Sequence, residues 1–405
     1  MRVQASTGSM LRVSSTENPV LQASINYSAG VRTVALQRCS QFVGRTTNWL
    51  YDHLRFVPRH NPIVLCDALL NRDEFPKLEA WCLHWSLARR VWRRITDNRY
   101  YPSEQQNLKR LAPCVVHSHF GGDAVHDYKL HRSLDVPWVV SFYGADVYEK
   151  SEAKHERYAQ LFDEATRVLA LGPVMKKHLS QLGCPEKKIG IHPLGVDVEN
   201  LPAEPRILKR GEPLKILFAG TFREKKGIQY VIDAASLARR AGVRLQLELV
   251  GDSAGKSGDC ETKDKVYHQI RRLGLEDLVT HRSFLSFREL VALALRSHVF
   301  VAPSVTAATG DAEGTPFVLQ QMMATGMPVI STVHSDIPYL FGEHNHLLVP
   351  ERDARAIANR LQRYADDPKT LVADGAVLRD QVRGAFDVRV CAAHLSDLYD
   401  EIARQ

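Results

Sequence analysis

The sequence predicts an α/β fold of two Rossmann-like domains that face each other across a cleft. Short apolar runs alternate with amphipathic stretches of helical length from residue 31 onwards. A proline-bearing segment, 200–214, interrupts this alternation once, and the same pattern then starts afresh. The length of 405 residues fits two domains of about 200 residues better than one core.

The first half of the chain contains six candidate strands, at 31–37, 62–66, 113–119, 137–144, 167–172 and 188–195. Helical segments such as 155–164 and 173–182 separate the later ones. Residues 1–30 are rich in polar side chains without a clear period, so we expect a loose tail there. Residues 31–205 then form the N-terminal domain.

The second half carries six further candidate strands, at 215–220, 245–251, 278–284, 298–304, 328–332 and 346–350. Helices are expected between them, at about 227–241, 261–273, 286–296, 316–325 and 353–366. The C-terminal domain therefore covers 206–384. Apolar residues at helical spacing continue through 385–405, which we interpret as a closing helix that packs back towards the N-terminal domain.

Composition excludes several classes of protein. No apolar run approaches the roughly 20 residues of a membrane-spanning helix, and the first residues lack the apolar core of a signal peptide. The seven cysteines are scattered without a CxxC pair, and neither Asp-x-Asp nor a His/Cys cluster with ligand spacing occurs. We therefore expect a cytoplasmic protein without disulfides and without a metal site.

The net charge of +7 is concentrated near the N-terminus. Residues 1–110 carry 16 Lys and Arg against 8 Asp and Glu, and the densest part is the run from Arg89 to Arg94 with Trp92 inside it. Two interpretations stay open: a solvated helix face, or contact with an anionic membrane surface, which Trp and Arg together suit. Nucleic acid is not expected as a partner, because no nucleic-acid-binding module accompanies the charge.

Segment 303–332 contains the residues that most clearly suit the binding of a ligand. A strand ends at Ser304, a glycine-bearing loop follows, and Thr315 as N-cap and Pro316 open a helix. The amino end of a helix offers unpaired N–H groups and a positive dipole end, which suit a diphosphate. Glu313 stands where a carboxylate can bond sugar hydroxyls, and Gln321 where an amide can bond a ribose. An ordinary capped helix would show the same pattern, so the residues alone leave both interpretations open.

This segment resembles the signature of the retaining glycosyltransferases of family 4, the glycosyl transferases group 1, whose fold is called GT-B. Glu313, Gly314 and Pro316 match the family's Glu-Gly-x-Pro loop, and Gln321 replaces a second Glu. The resemblance implies a nucleoside diphosphate sugar as donor substrate and no cofactor. The donor-binding residues that it implies are Gly220, Gly314, Thr315, Pro316, Phe317, Gln321, Phe284 and Leu285.

Segment 217–227 is similar to a second family motif, in which an Arg follows the first Gly and a Lys precedes the second. Lys226 matches, Thr221 replaces the Arg, and Arg223 stands two residues further on. Fixed cations stabilise the negative charge of a leaving diphosphate. We therefore interpret Lys226 and Arg223, together with Glu313, as the catalytic set. A solvated helix start is the alternative.

The N-terminal half carries a weaker match in the segments HSHFGGD and VVSFYGADV. Tyr143 stands where family members often have a His that faces the sugar, and it is followed by Gly144 and Asp146. The resemblance places the acceptor side at His119, Tyr143, Asp146 and Gly44.

The sequence thus predicts a retaining, metal-independent hexosyltransferase that transfers a sugar from a nucleoside diphosphate sugar to an acceptor hydroxyl, in cell-surface polysaccharide or glycolipid biosynthesis. The expected partners are the donor and a carbohydrate or lipid-linked acceptor, and the second interpretation of the basic run adds an anionic membrane surface on the cytoplasmic side. Two alternatives stay open. The replacements at Tyr143, Thr221 and Gln321 suit a non-catalytic protein that keeps the donor cleft, and a nucleotide-sugar epimerase would share the fold.

Overall fold

The computed structural model describes residues 11–13, 32–44, 47, 49–73, 75, 78–83, 85–148, 152–255 and 257–404. In this part of the chain two α/β domains are each built around one sheet, so the predicted fold class is confirmed. Residues 192–213, which connect the last strand of one sheet to the first strand of the other, contain neither helix nor strand.

The N-terminal sheet contains eight described strands, which are β1 (Leu11–Val13), β2 (Thr33–Phe42), β3 (His60–Leu69), β4 (Glu79–Cys82), β5 (Pro113–His119), β6 (Trp138–Ser141), β7 (Arg167–Ala170) and β8 (Ile189–Ile191). Their order is β1-β4-β3-β2-β5-β6-β7-β8. Only β1 runs antiparallel to its neighbour among these described strands. The carboxyl ends of the seven parallel strands therefore meet at one edge of the sheet.

The helices of this domain are α1 (Trp49–Arg55), α2 (Leu87–Thr96), α3 (Pro102–Arg110), α4 (Gly121–Ala124), α5 (Tyr128–Leu134), α6 (Ala145–Tyr148), α7 (Glu152–Glu164) and α8 (Pro173–Gln181), with a 3₁₀ turn at Glu186–Lys188. They cover a sheet whose central strands, β2, β3 and β5, carry buried apolar residues at their centres. Leu36, Val64 and Val116 have no exposed surface, as expected for strands buried on both faces.

The C-terminal sheet is parallel throughout, in the order β11-β10-β9-β12-β13, where the strands are β9 (Leu214–Ala219), β10 (Leu245–Val250), β11 (Val279–Arg282), β12 (Val299–Ala302) and β13 (Val329–Ser331). Its helices are α9 (Ile228–Arg240), α10 (Ser257–Arg272), α11 (Phe287–Ala294), α12 (Phe317–Ala324), α13 (Ile337–Phe341), α14 (Ala354–Asp366) and α15 (Lys369–Ala385), with 3₁₀ turns at Glu224–Lys226 and Gly342–Leu347.

The last helix, α16 (Val388–Ile402), lies on the N-terminal sheet although it follows the C-terminal domain. Leu395, Tyr399 and Ile402 are buried in one cluster with residues of four N-terminal strands, which include Ala35 and Val115. This helix therefore ties the end of the chain to the N-terminal domain.

Some predicted elements differ from the structure. The strand expected at 346–350 is wrong: the chain forms a 3₁₀ turn there, and Val349 makes only a single bridge to Thr332. Its apolar residues are buried in the core, and a short apolar run fits a buried loop as well as a strand. The expected tail, 1–30, lies outside the described residues except for β1, which is an edge strand rather than loose chain.

Among the helices that the structure describes, none combines the length and the apolar character that crossing a bilayer requires.

Candidate active site

A cleft of about 380 Å³ lies between the two domains. The N-terminal wall is formed by Thr47 and Trp49 after β2, Phe120 after β5 and Tyr143 after β6. The C-terminal wall is formed by the segments that follow β9, β11 and β12 and by the first turns of α12. Both walls thus come from the carboxyl ends of strands, where ligands bind in α/β sheets.

Most of the residues that the sequence singled out lie along this cleft. They are Glu313, Lys226, Arg223, Gly220, Thr315, Pro316, Phe317, Gln321, Phe284, Leu285 and Tyr143. Four others, Gly314, His119, Asp146 and Gly44, do not line it, and the structure gives each of them a supporting position instead.

Gly314 is a point of close approach between the domains. A side chain there would place its Cβ 2.8 Å from Leu171 Cδ1 and 2.9 Å from the carbonyl oxygen of Tyr143. Distances below 3 Å are not tolerated by fixed backbone atoms, so only glycine fits. Gly314 therefore lets the loop between β12 and α12 lie directly against the N-terminal wall.

Helix α12 begins one residue later than the sequence predicts. Pro316 is its N-cap, with the extended ψ of 115°, and Phe317 is the first helical residue. Thr315 is consequently outside the helix and does not cap it. Its hydroxyl is buried without a hydrogen-bond partner among the described residues, so it is available to a ligand in the cleft.

Glu313 is held between two lysines. Its Oε1 atom lies 3.2 Å from Lys226 Nζ and 3.5 Å from Lys225 Nζ, and only 9% of the residue is exposed. Burial alone would raise its pKa, but the charges of Lys226 and Lys225 outweigh it and lower the pKa to about 2. Oε1 has no aligned hydrogen-bond donor among the described residues. Glu313 is thus an ionised carboxylate that can still accept a hydrogen bond from a ligand.

The backbone of Glu313 is fixed by a His–carboxylate pair. The N–H of Glu313 donates to Nε2 of His334 at 3.1 Å, and Nδ1 of His334 lies 2.6 Å from Oε1 of Glu351. Because Nε2 accepts this hydrogen bond, the ring proton is on Nδ1, which donates a hydrogen bond to Glu351. This pair fixes the loop between β12 and α12 from the side that faces away from the cleft.

The segment after β9 brings three cations to the cleft, Arg223, Lys225 and Lys226. Lys226 is the last residue of a 3₁₀ turn, and Gly227 follows it with φ of +67°. A Cβ at Gly227 would lie 1.9 Å from the carbonyl oxygen of Pro303, which explains the glycine. Arg223 also reaches the cleft, with its Nε 3.2 Å from Asp259 Oδ1. Lys226 is therefore paired with Glu313, and Arg223 is paired with Asp259.

The N-terminal wall is aromatic. The ring centroid of Tyr143 lies 4.5 Å from that of Trp49 and 4.7 Å from that of Phe120. Phe120 has φ of +70°, a strained value for a residue with a side chain, at the turn between β5 and α4. Apolar faces of this kind suit the C–H faces of sugars while the rim supplies hydrogen bonds.

His119 lies behind Tyr143 and does not line the cleft. Its Nδ1 is 2.6 Å from the Tyr143 hydroxyl and its Nε2 is 3.0 Å from Gln37 Oε1. Burial lowers the pKa of His119 to about 3, so the ring is neutral. Nε2–H then donates to Gln37, and Nδ1 accepts from Tyr143. His119 orients Tyr143.

Asp146 and Gly44 also have structural positions rather than ligand contacts. The Asp146 carboxylate is buried and accepts hydrogen bonds from the backbone N–H groups of Gly121, Tyr143 and Gly144. It therefore shapes the turn that carries Tyr143. Gly44 is buried at the end of β2, and its carbonyl accepts a bond from Thr47 N at 3.0 Å.

Three further features of the site were not found from the sequence. Lys225 was grouped with a solvated helix start, yet it is buried and also bonds Asp311 Oδ1 at 3.0 Å. His334 has no motif around it, and the pairing with Glu351 depends on tertiary contact. One signal was available for the aromatic wall: Phe120 comes directly after β5. Among the described residues no group of His, Cys, Asp and Glu has the arrangement of a metal site.

Two Rossmann-like domains, with a carboxylate and paired cations beside a helix start in the cleft, define the class of GT-B glycosyltransferases. The family Glycosyltransferase Family 4 matches residues 59–200, and the family Glycosyl transferases group 1 matches residues 202–373. The chain belongs to the glycosyl transferases group 1 of this class.

Related sequences agree with that assignment. The chain is 32% identical over 325 residues to the colanic acid biosynthesis glycosyltransferase WcaL of Escherichia coli (strain K12), a match that covers 76% of this chain and 78% of WcaL. It is 30% identical over 303 residues to the amylovoran biosynthesis glycosyltransferase AmsK of Erwinia amylovora, covering 73% of this chain and 72% of AmsK.

Solved structures share the fold. Anabaena HepE in complex with UDP and glucose aligns with a TM-score of 0.73 and 16% identity, over 91% of this chain and 100% of HepE. Sucrose-phosphate synthase from Thermosynechococcus elongatus aligns with a TM-score of 0.72 and 17% identity, over 91% of this chain and 99% of that enzyme. At these identities the likeness concerns the fold alone.

Proposed function

We propose that this glycosyltransferase moves a sugar from a nucleoside diphosphate sugar to an acceptor hydroxyl, with retention of the anomeric configuration, in the biosynthesis of a cell-surface polysaccharide. The observation that carries the proposal is the ionised Glu313, held by Lys226 and Lys225 beside the start of α12. The named roles of WcaL and AmsK support the pathway, and the UDP and glucose in HepE support the donor class.

In this proposal the donor lies along the C-terminal wall. The first turn of α12 offers backbone N–H groups without intrahelical partners, which suit the diphosphate. Glu313 Oε1 accepts a hydrogen bond from a donor-sugar hydroxyl, and the buried Thr315 hydroxyl is close to the same point of the cleft. Gln321, which is 7% exposed, reaches the cleft further along the helix and bonds the ribose.

The reaction breaks the bond between the anomeric carbon and the phosphate oxygen, and the electron pair leaves with the nucleoside diphosphate. The acceptor oxygen attacks the anomeric carbon from the same face, and its proton passes to the departing phosphate oxygen. Lys226 stabilises the negative charge that grows on the diphosphate, with Arg223 as a second, more distant cation. No protein nucleophile is required on this route.

The acceptor lies against the aromatic wall. Tyr143 presents its ring there, while its hydroxyl, a neutral phenol because burial raises its pKa well above the ordinary value, donates to His119. The phenol cannot remove a proton at neutral pH, so its role is to orient the acceptor together with Trp49 and Phe120.

Metal independence is part of the proposal. Lys226, Lys225 and the α12 amino end supply positive charge at the place where a divalent ion would otherwise stabilise the diphosphate. Activity should therefore be unchanged by dialysis against EDTA. Loss of turnover on chelation, restored by Mg²⁺ or Mn²⁺, would contradict this part and leave the donor assignment untouched.

A donor panel tests the function and separates the alternatives. Thermal unfolding with different nucleoside diphosphate sugars identifies the donor, because a ligand that binds the native state raises the melting temperature. Release of nucleoside diphosphate that increases when carbohydrate acceptors are added indicates transfer. Binding without turnover indicates a non-catalytic protein, and inversion of a sugar centre without transfer indicates an epimerase.

A further inference from the structure

Helix α2 presents a row of aliphatic side chains to solvent. Leu87, Val91 and Ile95 expose 78%, 49% and 78% of their surface. At 3.6 residues per turn, residues four apart lie on one face, so the three side chains form one stripe. Scattered exposed aliphatics are ordinary on protein surfaces, but an ordered stripe along a surface helix indicates a docking face.

The opposite face of α2 is firmly attached to the domain. Arg89 is buried and forms a two-pronged ion pair with Glu104, and its Nη1 also donates to the carbonyl oxygen of Arg99 at 2.7 Å. Trp92 Nε1 donates to the carbonyl oxygen of Tyr100 at 3.2 Å. The aliphatic stripe is therefore the true outer face of a well-anchored helix.

These contacts correct one expectation from the sequence. The run from Arg89 to Arg94 was interpreted as a single basic surface that carries Trp92. Arg89 is instead an internal partner of Glu104, and Trp92 is half-buried on the same inner side. The exposed arginines of the helix are Arg90 and Arg94, which border the stripe on one side.

The charged residues within α2 are all arginines. No acidic residue occurs within α2, and Arg93 packs over Trp85 at 5.8 Å beside the same region. Asp97, at the C-cap, is the nearest acidic neighbour in the sequence. Aliphatic side chains flanked by arginines complement an anionic lipid surface, where the apolar groups enter the headgroup boundary and the guanidinium groups meet phosphates.

The topology places this face on the side of the cleft. Helix α2 starts five residues after β4, which runs parallel to β3 and β2. Its amino end is therefore at the edge of the sheet that also carries Thr47, Phe120 and Tyr143. A membrane bound by α2 would therefore lie on the side of the domain that carries the N-terminal wall of the cleft.

We infer that α2 is an in-plane anchor that docks the N-terminal domain on a bilayer containing anionic phospholipid, with Leu87, Val91 and Ile95 inserted and Arg90 and Arg94 at the phosphates. The inference rests on the α2 surface and not on the transfer reaction. We infer lipid as the occupant because Arg90 and Arg94 would lack anionic partners if the stripe packed against the same stripe of a second copy of the chain.

Vesicle flotation tests the inference with the full chain. The probes are phosphatidylcholine vesicles with and without phosphatidylglycerol, at low and high salt. One variant is Leu87→Gln with Ile95→Gln, and the other is Arg90→Gln with Arg94→Gln. The matched controls are Ile207→Gln, whose side chain is 64% exposed, and Arg355→Gln, which is exposed on α14. Arg89 is kept, because its removal would leave Glu104 buried without its partner.

The expected result is binding to the anionic vesicles that weakens at high salt, with a loss of about tenfold in the partition coefficient for each α2 variant and no change for the controls. The inference would be overturned if both α2 variants bound the anionic vesicles as well as wild type does, or if wild type did not bind them at all. A change in oligomeric state by sedimentation, without a change in vesicle binding, would overturn it in favour of a second copy of the chain. Donor hydrolysis should be unchanged in all variants, which keeps this test separate from that of the transfer reaction.

Discussion

The Nε2 atom of His334 accepts a hydrogen bond of 3.1 Å from the backbone N–H of Glu313, the residue that faces both cleft lysines. Glu351 holds the opposite ring nitrogen at 2.6 Å and so selects the tautomer that can accept. The position of the central carboxylate thus depends on two residues that do not line the cleft.

Replacement of His334 should lower turnover by releasing this loop. In His334→Ala, the Glu313 N–H loses its acceptor and kcat should fall about tenfold or more, because misplaced groups lose transition-state contacts. His334→Gln keeps an amide oxygen and should recover part of the loss. The measurement is steady-state turnover, with thermal unfolding as the control for folding. Equal turnover in both variants and wild type would show that the bond does not position Glu313.

The ionisation of Glu313 should appear in the pH dependence of stability. Its folded pKa of about 2 is below the ordinary value of 4.5, so the carboxylate stabilises the fold above pH 4.5 and loses this contribution as the pH falls towards 2. The contribution at neutral pH is on the order of 3 kcal/mol. Denaturant unfolding of wild type and Glu313→Gln from pH 7 to pH 3 should show a difference that shrinks with acid. A difference independent of pH would contradict the ion pairs with Lys226 and Lys225.

Lys226 and Arg223, two of the three cleft cations that follow β9, should contribute differently to turnover. Lys226→Gln should reduce kcat about a hundredfold, because a fixed charge next to the leaving diphosphate is lost. Arg223→Gln should have a smaller effect, since the proposal puts Lys226 next to the diphosphate and Arg223 further away. Turnover at saturating donor compares them. An Arg223 effect equal to or larger than that of Lys226 would reverse the roles proposed here.

Gln321→Glu should bind the donor as well as wild type or more tightly. A carboxylate accepts stronger, charge-assisted bonds from ribose hydroxyls, and the gain is about 1 kcal/mol, or about fivefold in affinity. Calorimetric titration with the donor and with the free nucleoside diphosphate measures it. A clear loss of affinity for both ligands would mean that the amide of Gln321 is matched to another group of the donor.

The sequence predicts the parts of this site that depend on local pattern. Strand β5 has the predicted bounds of 113–119, and the loop from Glu313 into α12 follows the expected order of strand, glycine and helix start. These features come from short-range periodicity and from residues with special backbone roles, which are visible in a single chain.

Features that depend on the approach of the two domains were not predictable. The need for glycine at 314 arises from Leu171 and Tyr143, and the burial of Lys225 arises from Asp311 and Glu313. Helix α15 was missed because its sequence includes Gly375 and Gly384, which weaken a helical pattern. His119 and Asp146 were placed at the correct edge of the sheet, but the direction of each side chain is set by its partners.

The central claim is that an ionised Glu313 in this cleft supports retaining transfer from a nucleoside diphosphate sugar. The most direct measurement follows the reaction by NMR, with the donor identified by the panel and a carbohydrate acceptor, for wild type and Glu313→Gln. The account predicts a product whose new bond has the anomeric configuration of the donor, and a loss of about a hundredfold or more in turnover for a folded Glu313→Gln. A product of inverted configuration, or near wild-type turnover of Glu313→Gln, would contradict it.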